Sequence, residues 1–174
     1  IDCANGNTTG HVLRPIIILE GVDYHQIAPD IFPSNWDWRN SRELFRTIQE
    51  GLFSLKGDYD FVYVDYFQGA DAIESNAALF RDVLARVNAS KLLGGSTEQN
   101  VVIGYSMGGL VARYGLSAMA KEGINSQTRL LITHDSPHQG ANIPMGLQFT
   151  YQKINETIGW IGIFKHLIQA NRVF

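Results

Sequence analysis

The stretch that most constrains this chain is residues 101–115, VVIGYSMGGLVARYG. Val101, Val102 and Ile103 form a short apolar run, and Gly104-Tyr105-Ser106-Met107-Gly108 follows without a break. Leu110, Val111 and Tyr114 then recur at helical spacing and are expected to face a core. A buried strand must therefore become a helix within one or two residues, with a serine at the corner and a glycine two places to either side. A side chain at either glycine would crowd such a corner. The chain has to accommodate at least one tight strand-to-helix unit, and the remaining segments are read against it.

The corner has a chemical reading as well as a packing one. G-x-S-x-G between a strand pattern and a helix pattern is the context of a nucleophile elbow. A serine hydroxyl attacks poorly unless a base reaches it and donors face the oxyanion it creates. The turn lifts Ser106 out of the sheet, and the helix opening at Met107 aims free N–H groups and its positive dipole end at the same place. The plainer alternative is a tight turn that only packs.

Earlier segments supply further strands and helices. Residues 13–19 (LRPIIIL) read as a strand buried on both faces, ending at Glu20-Gly21-Val22-Asp23. A glycine just past a buried strand lets backbone N–H groups turn toward a ligand. Residues 24–39 lack a period but carry Phe32, Trp36 and Trp38, which suit either an apolar substrate site or a cap on the core. Asn40 and Glu43 open a helix whose Leu44, Phe45, Ile48 and Leu52 share a face. Residues 61–65 (FVYVD) read as a second buried strand. Asp71 with Glu74 reads as a capping box for a helix bearing Ile73, Ala77, Phe80, Leu84 and Val87, closed by Gly94-Gly95. After the elbow helix, Gly123 is the expected C-cap and residues 129–133 (RLLIT) a fourth strand. Strands and helices alternate at a spacing that permits right-handed crossovers. The expected fold class is α/β, a mainly parallel sheet flanked by helices.

With 174 residues and 45% hydrophobic content, a single domain over 1–174 with its own core is expected. The net charge of −3 and the lack of a basic stripe argue against nucleic acid as a partner. No run of 18 apolar residues occurs, so no transmembrane segment is expected. Cys3 is the single cysteine, which excludes an internal disulfide and a cysteine-rich metal site. His134 and His138 are four apart, but Pro137 between them opposes a helical metal pair; no metal and no cofactor are expected. Residues 141–174 are rich in apolar side chains at helical spacing. They are expected to form a lid or cap-like helical segment, or to be covered by a partner chain or a missing C-terminal part. The first residue is Ile1 and no signal-peptide pattern is present, so a processed form or a fragment is expected.

Taken together, the LEGVD, GYSMGGLVARY and THDSPHQGANIP segments resemble the α/β-hydrolase superfamily. The similarity is to its lipase-like and esterase-like branch, in which S-P-H-x-G follows the strand after the elbow; here that segment is Ser136-Pro137-His138-Gln139-Gly140. The chain also looks like the secreted or cell-envelope hydrolases of Bacteroidetes-type bacteria. The resemblance covers most of residues 13–150 and implies Ser106 as nucleophile, with Met107 N–H and Val22 N–H as the oxyanion hole. It implies a triad ordered serine, acid, histidine. His11 and His25 precede the serine, and His166 lies in the apolar tail. Asp135 and His138 are the candidates inside the chain, although the resemblance makes His138 structural. The acid and the base are therefore expected outside this chain, which would make it an incomplete N-terminal part.

The activity so implied is a serine hydrolase of small-molecule or lipid carboxylic esters, working through an acyl-enzyme on Ser106. The alternative is a non-catalytic hydrolase-like binding module or part of a larger assembly; amidase and thioesterase share the same elbow.

Overall fold

The computed structural model describes residues 1–22, 54–69 and 71–140, together with 145, 146, 149 and 153. Four strands make one sheet: β1 (Pro15–Leu19), β2 (Asp60–Val64), β3 (Asn100–Tyr105) and β4 (Thr128–His134). Their order is β2-β1-β3-β4, and every pairing is parallel. Helix α1 (Ile73–Leu93) joins β2 to β3, helix α2 (Met107–Lys121) joins β3 to β4, and a short 3-10 turn (Ser54–Gly57) precedes β2. The aromatic stretch 24–39 and the helix expected from Asn40 lie outside the described residues. So does most of the 141–174 segment, of which Met145 and Phe149 are helical and exposed.

The alternation of side chains explains why the strands read as unbroken apolar runs. Ile17, Leu19, Val62, Val64 and Val102 point to one face and pack with Ala77, Phe80, Leu84 and Val87 of α1 and Val111, Ala112 and Met119 of α2. Ile16, Ile18, Phe61, Val101, Ile103 and Tyr105 form a second buried cluster from the other face. Both faces of β1 to β3 are thus removed from water. The two described helices share one face because both crossovers, β2 to β3 and β3 to β4, move the same way across the sheet, and right-handed crossovers then fall on the same side. The fourth strand differs. Leu130 and Ile132 are 48% and 40% exposed, so β4 is covered on one side only.

Helix boundaries depart from the sequence reading in two places. The Asp71–Glu74 capping box does not form: Ala72 is the N-cap, with no side-chain cap bond, and the Asp71 carboxylate accepts the Ala72 N–H at 2.7 Å instead. Tyr114 does not face the core; it is 48% exposed, and Leu110 is only partly buried. The core side of α2 runs through Val111, Gly115 and Met119. A Cβ on Gly115 would stand 2.9 Å from the Phe80 ring, so the α1 aromatic occupies the space that a residue 115 side chain would need. Both helices end as the glycines predict. Gly95 N–H bonds Leu92 O and Ser96 N–H bonds Lys91 O, while Gly123 N–H bonds Ala120 O and Ile124 N–H bonds Met119 O. Each is the paired 5→2 and 6→1 pattern closed by a glycine in the left-handed region.

The amino ends of the strands are pinned by buried polar groups. Lys91 Nζ donates to Glu98 O and Gln127 Oε1 at 2.9 and 3.0 Å. Burial holds that ammonium below the ordinary lysine value, with Glu98 acting the other way. The buried Asp60 carboxylate accepts four hydrogen bonds, from Ala4 N–H, Asn7 Nδ2, Leu13 N–H and Arg14 N–H, at 2.6 to 3.0 Å. Burial alone would raise its pKa, but those bonds together outweigh it and leave the carboxyl below its ordinary value.

Asp60 therefore contributes stability in full above about pH 4, the unfolded aspartate value, and loses it as the pH falls through the lower folded value. Asp60→Ala is expected to reduce unfolding free energy at pH 7 by roughly 3 kcal/mol, leaving several donors unmatched. Urea titrations at a series of pH values should show the gap from wild type closing below pH 4.

Candidate active site

Ser106 stands where the sheet hands over to the helix. Its N–H donates to His134 O at 2.9 Å, continuing the β3–β4 ladder, while its carbonyl accepts Gly109 N–H at 3.2 Å in the first turn of α2. One residue thus makes the whole turn, and its backbone is driven to φ 47°, ψ −117°. That region costs a non-glycine residue about 1–3 kcal/mol. Ser106 is the N-cap of α2, yet its hydroxyl makes no cap bond. A serine at this position ordinarily uses its oxygen on the helix.

The flanking glycines are enforced by backbone rather than by side chains. A Cβ on Gly104 would lie 2.5 Å from Gly109 N and 2.6 Å from the Gly108 carbonyl. One on Gly108 would overlap the Glu20 carbonyl oxygen and sit 2.7 Å from Leu19 O. Gly109, a third glycine, faces Ser136: a Cβ there would overlap the Ser136 hydroxyl. The loops leaving β1 and β4 both rest on the first turn of α2.

The β1 exit reaches the serine itself. A Cβ on Gly21 would be 3.3 Å from Ser106 Cβ and 3.9 Å from Ser106 Oγ. This contact lies between the carboxyl ends of β1 and β3, where the chain reverses its direction of travel across the sheet, and open α/β sheets bind ligands at such a point. Val22 and Met107 are both buried beside it. Met107 is the first residue of α2, so its N–H has no partner within the helix.

Next to Gly21 stands Glu20, which sequence reasoning passed over. It is 2% exposed, its N–H donates to Val64 O at 3.3 Å, and its Oε1 accepts the Tyr66 N–H. Tyr66 is buried with its hydroxyl unpartnered among the described residues. Burial first, then the charges of Glu20 and Asp65, hold that phenol well above the ordinary tyrosine value, so it stays protonated. The available signal was a carboxylate directly following an otherwise apolar strand.

The β4 exit carries the remaining candidates. Asp135 is exposed, with φ 49°, one residue beyond the Tyr105–His134 pair. Ser136 to Gly140 form a compact turn in which His138 N–H bonds Ser136 O and Gly140 N–H bonds Pro137 O. His138 Nδ1 is buried with no partner among the described residues. The His134 side chain is exposed, its ring 5.3 Å from that of Tyr105. His11 lies at the opposite, amino end of the sheet, beside Gly94. His25 and His166 are outside the described residues. Ser106, Met107, Val22 and Asp135 thus share the carboxyl edge of the sheet, but among the described residues no hydrogen bond joins Ser106 Oγ to a histidine or His138 to a carboxylate. No cluster of three metal-ligating side chains occurs among the described residues.

A family model, the PGAP1-like alpha/beta domain, matches residues 69–161, more than half of the chain. The matched span runs through α1, β3, Ser106, α2, β4 and the turn holding His138. No curated protein matches the chain.

The strain at Ser106 can be read directly. Ser106→Gly is expected to exceed Ser106→Ala in stability by about 1–2 kcal/mol, since glycine adopts φ 47° freely and alanine does not. Thermal unfolding of the two variants gives the comparison, and equal midpoints would mean that the turn relaxes when the serine is removed.

Proposed function

The chain belongs to the PGAP1-like alpha/beta domain family, a lipase-like group of α/β-hydrolase type, and from that premise we propose that it is a serine hydrolase of carboxylic esters. The observation that carries the proposal is Ser106, held in strained backbone with a hydroxyl that caps nothing, against the glycine exit of β1.

In this reading Ser106 Oγ attacks the ester carbonyl carbon as its proton passes to a histidine outside the described residues. The carbonyl oxygen becomes an oxyanion held by the Met107 and Val22 N–H groups. Collapse expels the alcohol, which takes the proton from the imidazolium, and leaves an acyl group on Ser106. Water, deprotonated by the same histidine, attacks the acyl carbon and releases the carboxylic acid with free serine. Loss of one oxyanion donor in such a site costs about 10²–10³-fold in rate. Asp135, which follows His134 at the β4 exit, is the acid candidate among the described residues, while His138 is held in the Ser136–Gly140 turn.

The apolar character of residues 141–174, with Met145 and Phe149 helical and exposed, supports a small-molecule or lipid ester over a charged substrate. Among the described residues no helix is long and apolar enough to cross a membrane. The resemblance to secreted or envelope hydrolases supports work outside the cytoplasm.

A second reading has its own observation. Ser106 has no histidine partner among the described residues, as a hydrolase-like binding module would not need one. A fluorophosphonate probe followed by mass spectrometry separates the two. The expected result is one label on Ser106, absent from Ser106→Ala. A folded, unlabelled wild-type chain would overturn the hydrolase proposal and favour the binding module.

A further inference from the structure

Glu20 is a carboxylate in a place built for apolar groups. It directly follows β1, whose five residues are all buried, and it is itself 2% exposed. A carboxylate taken out of water is costly unless hydrogen bonds hold it, whereas an apolar side chain would fill the same space freely. Nothing in the ester chemistry above uses Glu20 directly. Its position has to be explained by what it holds.

Three elements meet on this one residue. The Glu20 N–H bonds Val64 O, carrying the β1–β2 pairing one step past β1. The Glu20 carbonyl lies against Gly108, so closely that a methyl group there would collide with it. The Glu20 carboxylate accepts the Tyr66 N–H from the loop that leaves β2. Sheet, elbow helix and β2 exit are thus joined immediately before Gly21. Gly21 has no side chain to define its own conformation, and beyond it comes Val22, whose N–H must face the carbonyl oxygen of a substrate. An oxyanion donor is effective when its direction is set before the reaction begins.

We infer that Glu20 is a positioning residue, which anchors the β1 exit to the β2 exit and so fixes Gly21 and the Val22 N–H opposite Ser106. The inference rests on the hydrolase reading for its consequence in rate, but not for the anchoring itself. Glu20 touches no substrate; it acts through the backbone that follows it.

Two variants of the full chain test it. Glu20→Gln keeps an oxygen for the Tyr66 N–H, and Glu20→Ala removes it. Amide hydrogen exchange, read residue by residue, should quicken by about tenfold at Tyr66, whose N–H loses its acceptor, and at residue 20, whose N–H bonds Val64 O, in Glu20→Ala, the effect of losing one hydrogen bond. Ile17 and Val102 in the sheet should stay at the wild-type rate, and Glu20→Gln should restore the loop. In fluorophosphonate labelling of Ser106, the maximal rate should fall about 10²-fold in Glu20→Ala with the half-saturating probe concentration unchanged, and return in Glu20→Gln. Exchange at Tyr66 and at residue 20 equal to wild type in Glu20→Ala would overturn the anchoring. Faster exchange throughout the sheet would reduce Glu20 to general stability and overturn it too. Altered loop exchange with an unaltered labelling rate would overturn the link to Ser106. A wild-type chain that takes no label would remove the hydrolase reading, and the exchange data would still decide whether Glu20 holds the loop.

Discussion

Ser106 belongs to two structures at once. Its N–H is the last rung of the β3–β4 ladder and its carbonyl is part of the first turn of α2. A strand and a helix present their hydrogen-bonding groups along different directions, so a residue serving both cannot adopt the dihedral angles of either. The left-handed backbone at φ 47° follows from that double membership. So do the glycines: a chain folded back this sharply brings Gly104 against Gly108 and Gly109, and Gly108 against Leu19 and Glu20, at separations that leave no room for Cβ. The corner in turn settles the spacing between β1 and α2, because the backbone carbonyls that end β1 rest on the helix at Gly108.

Sheet topology gives the corner its surroundings. The chain enters at β1, moves to β2 on one side, then returns to β3 on the other. The exits of β1 and β3 part company at their carboxyl ends, and the gap between them is where Gly21 meets Ser106. The amino ends of the same strands are tied in a different manner. Asp60 gathers four donors from the segment that precedes β1, and Lys91 reaches from α1 to Glu98 and Gln127. Those contacts fix where strands begin, so that the register is settled before the chain arrives at the site.

Much of this was legible in the sequence, and the reasons for the rest are physical. The strands were readable because three of the four are buried on both faces, which leaves apolar runs with no competing period. The elbow was readable because backbone collisions demand glycine at fixed distances from the serine. Tyr114 was misread because the core stripe of α2 passes through Gly115; which helix position stays empty depends on where Phe80 of another helix sits, and no local pattern carries that. The Asp71–Glu74 pair has the spacing of a capping box, but Asp71 bonds its immediate neighbour and the helix starts without it. Glu20 was invisible for a related reason: its partners are a backbone N–H 46 positions away and a helix turn further still. No base for Ser106 could be assigned from spacing, because residues that meet at the carboxyl edge of a parallel sheet come from separate strand exits, as Gly21 and Ser106 do.

Three non-glycine residues among those described have positive φ, and comparing them isolates the serine. Gln127 at φ 54° is embedded in hydrogen bonds: its N–H goes to Asn125 Oδ1, its carbonyl receives Asn100 N–H at 2.7 Å, and its side chain receives Lys91. Its conformation is offset by the contacts it makes possible. Asp135 at φ 49° is of a residue type that enters this region at modest cost, and it lies exposed at the end of a strand. Ser106 has neither excuse. Serine has no special liking for the region, its hydroxyl makes no cap bond, and glycine would serve the turn with less strain. Packing alone would select glycine at the corner, as it does at 104, 108 and 109. What distinguishes residue 106 from its neighbours is a hydroxyl, kept in costly backbone beside the exit of β1 at Gly21.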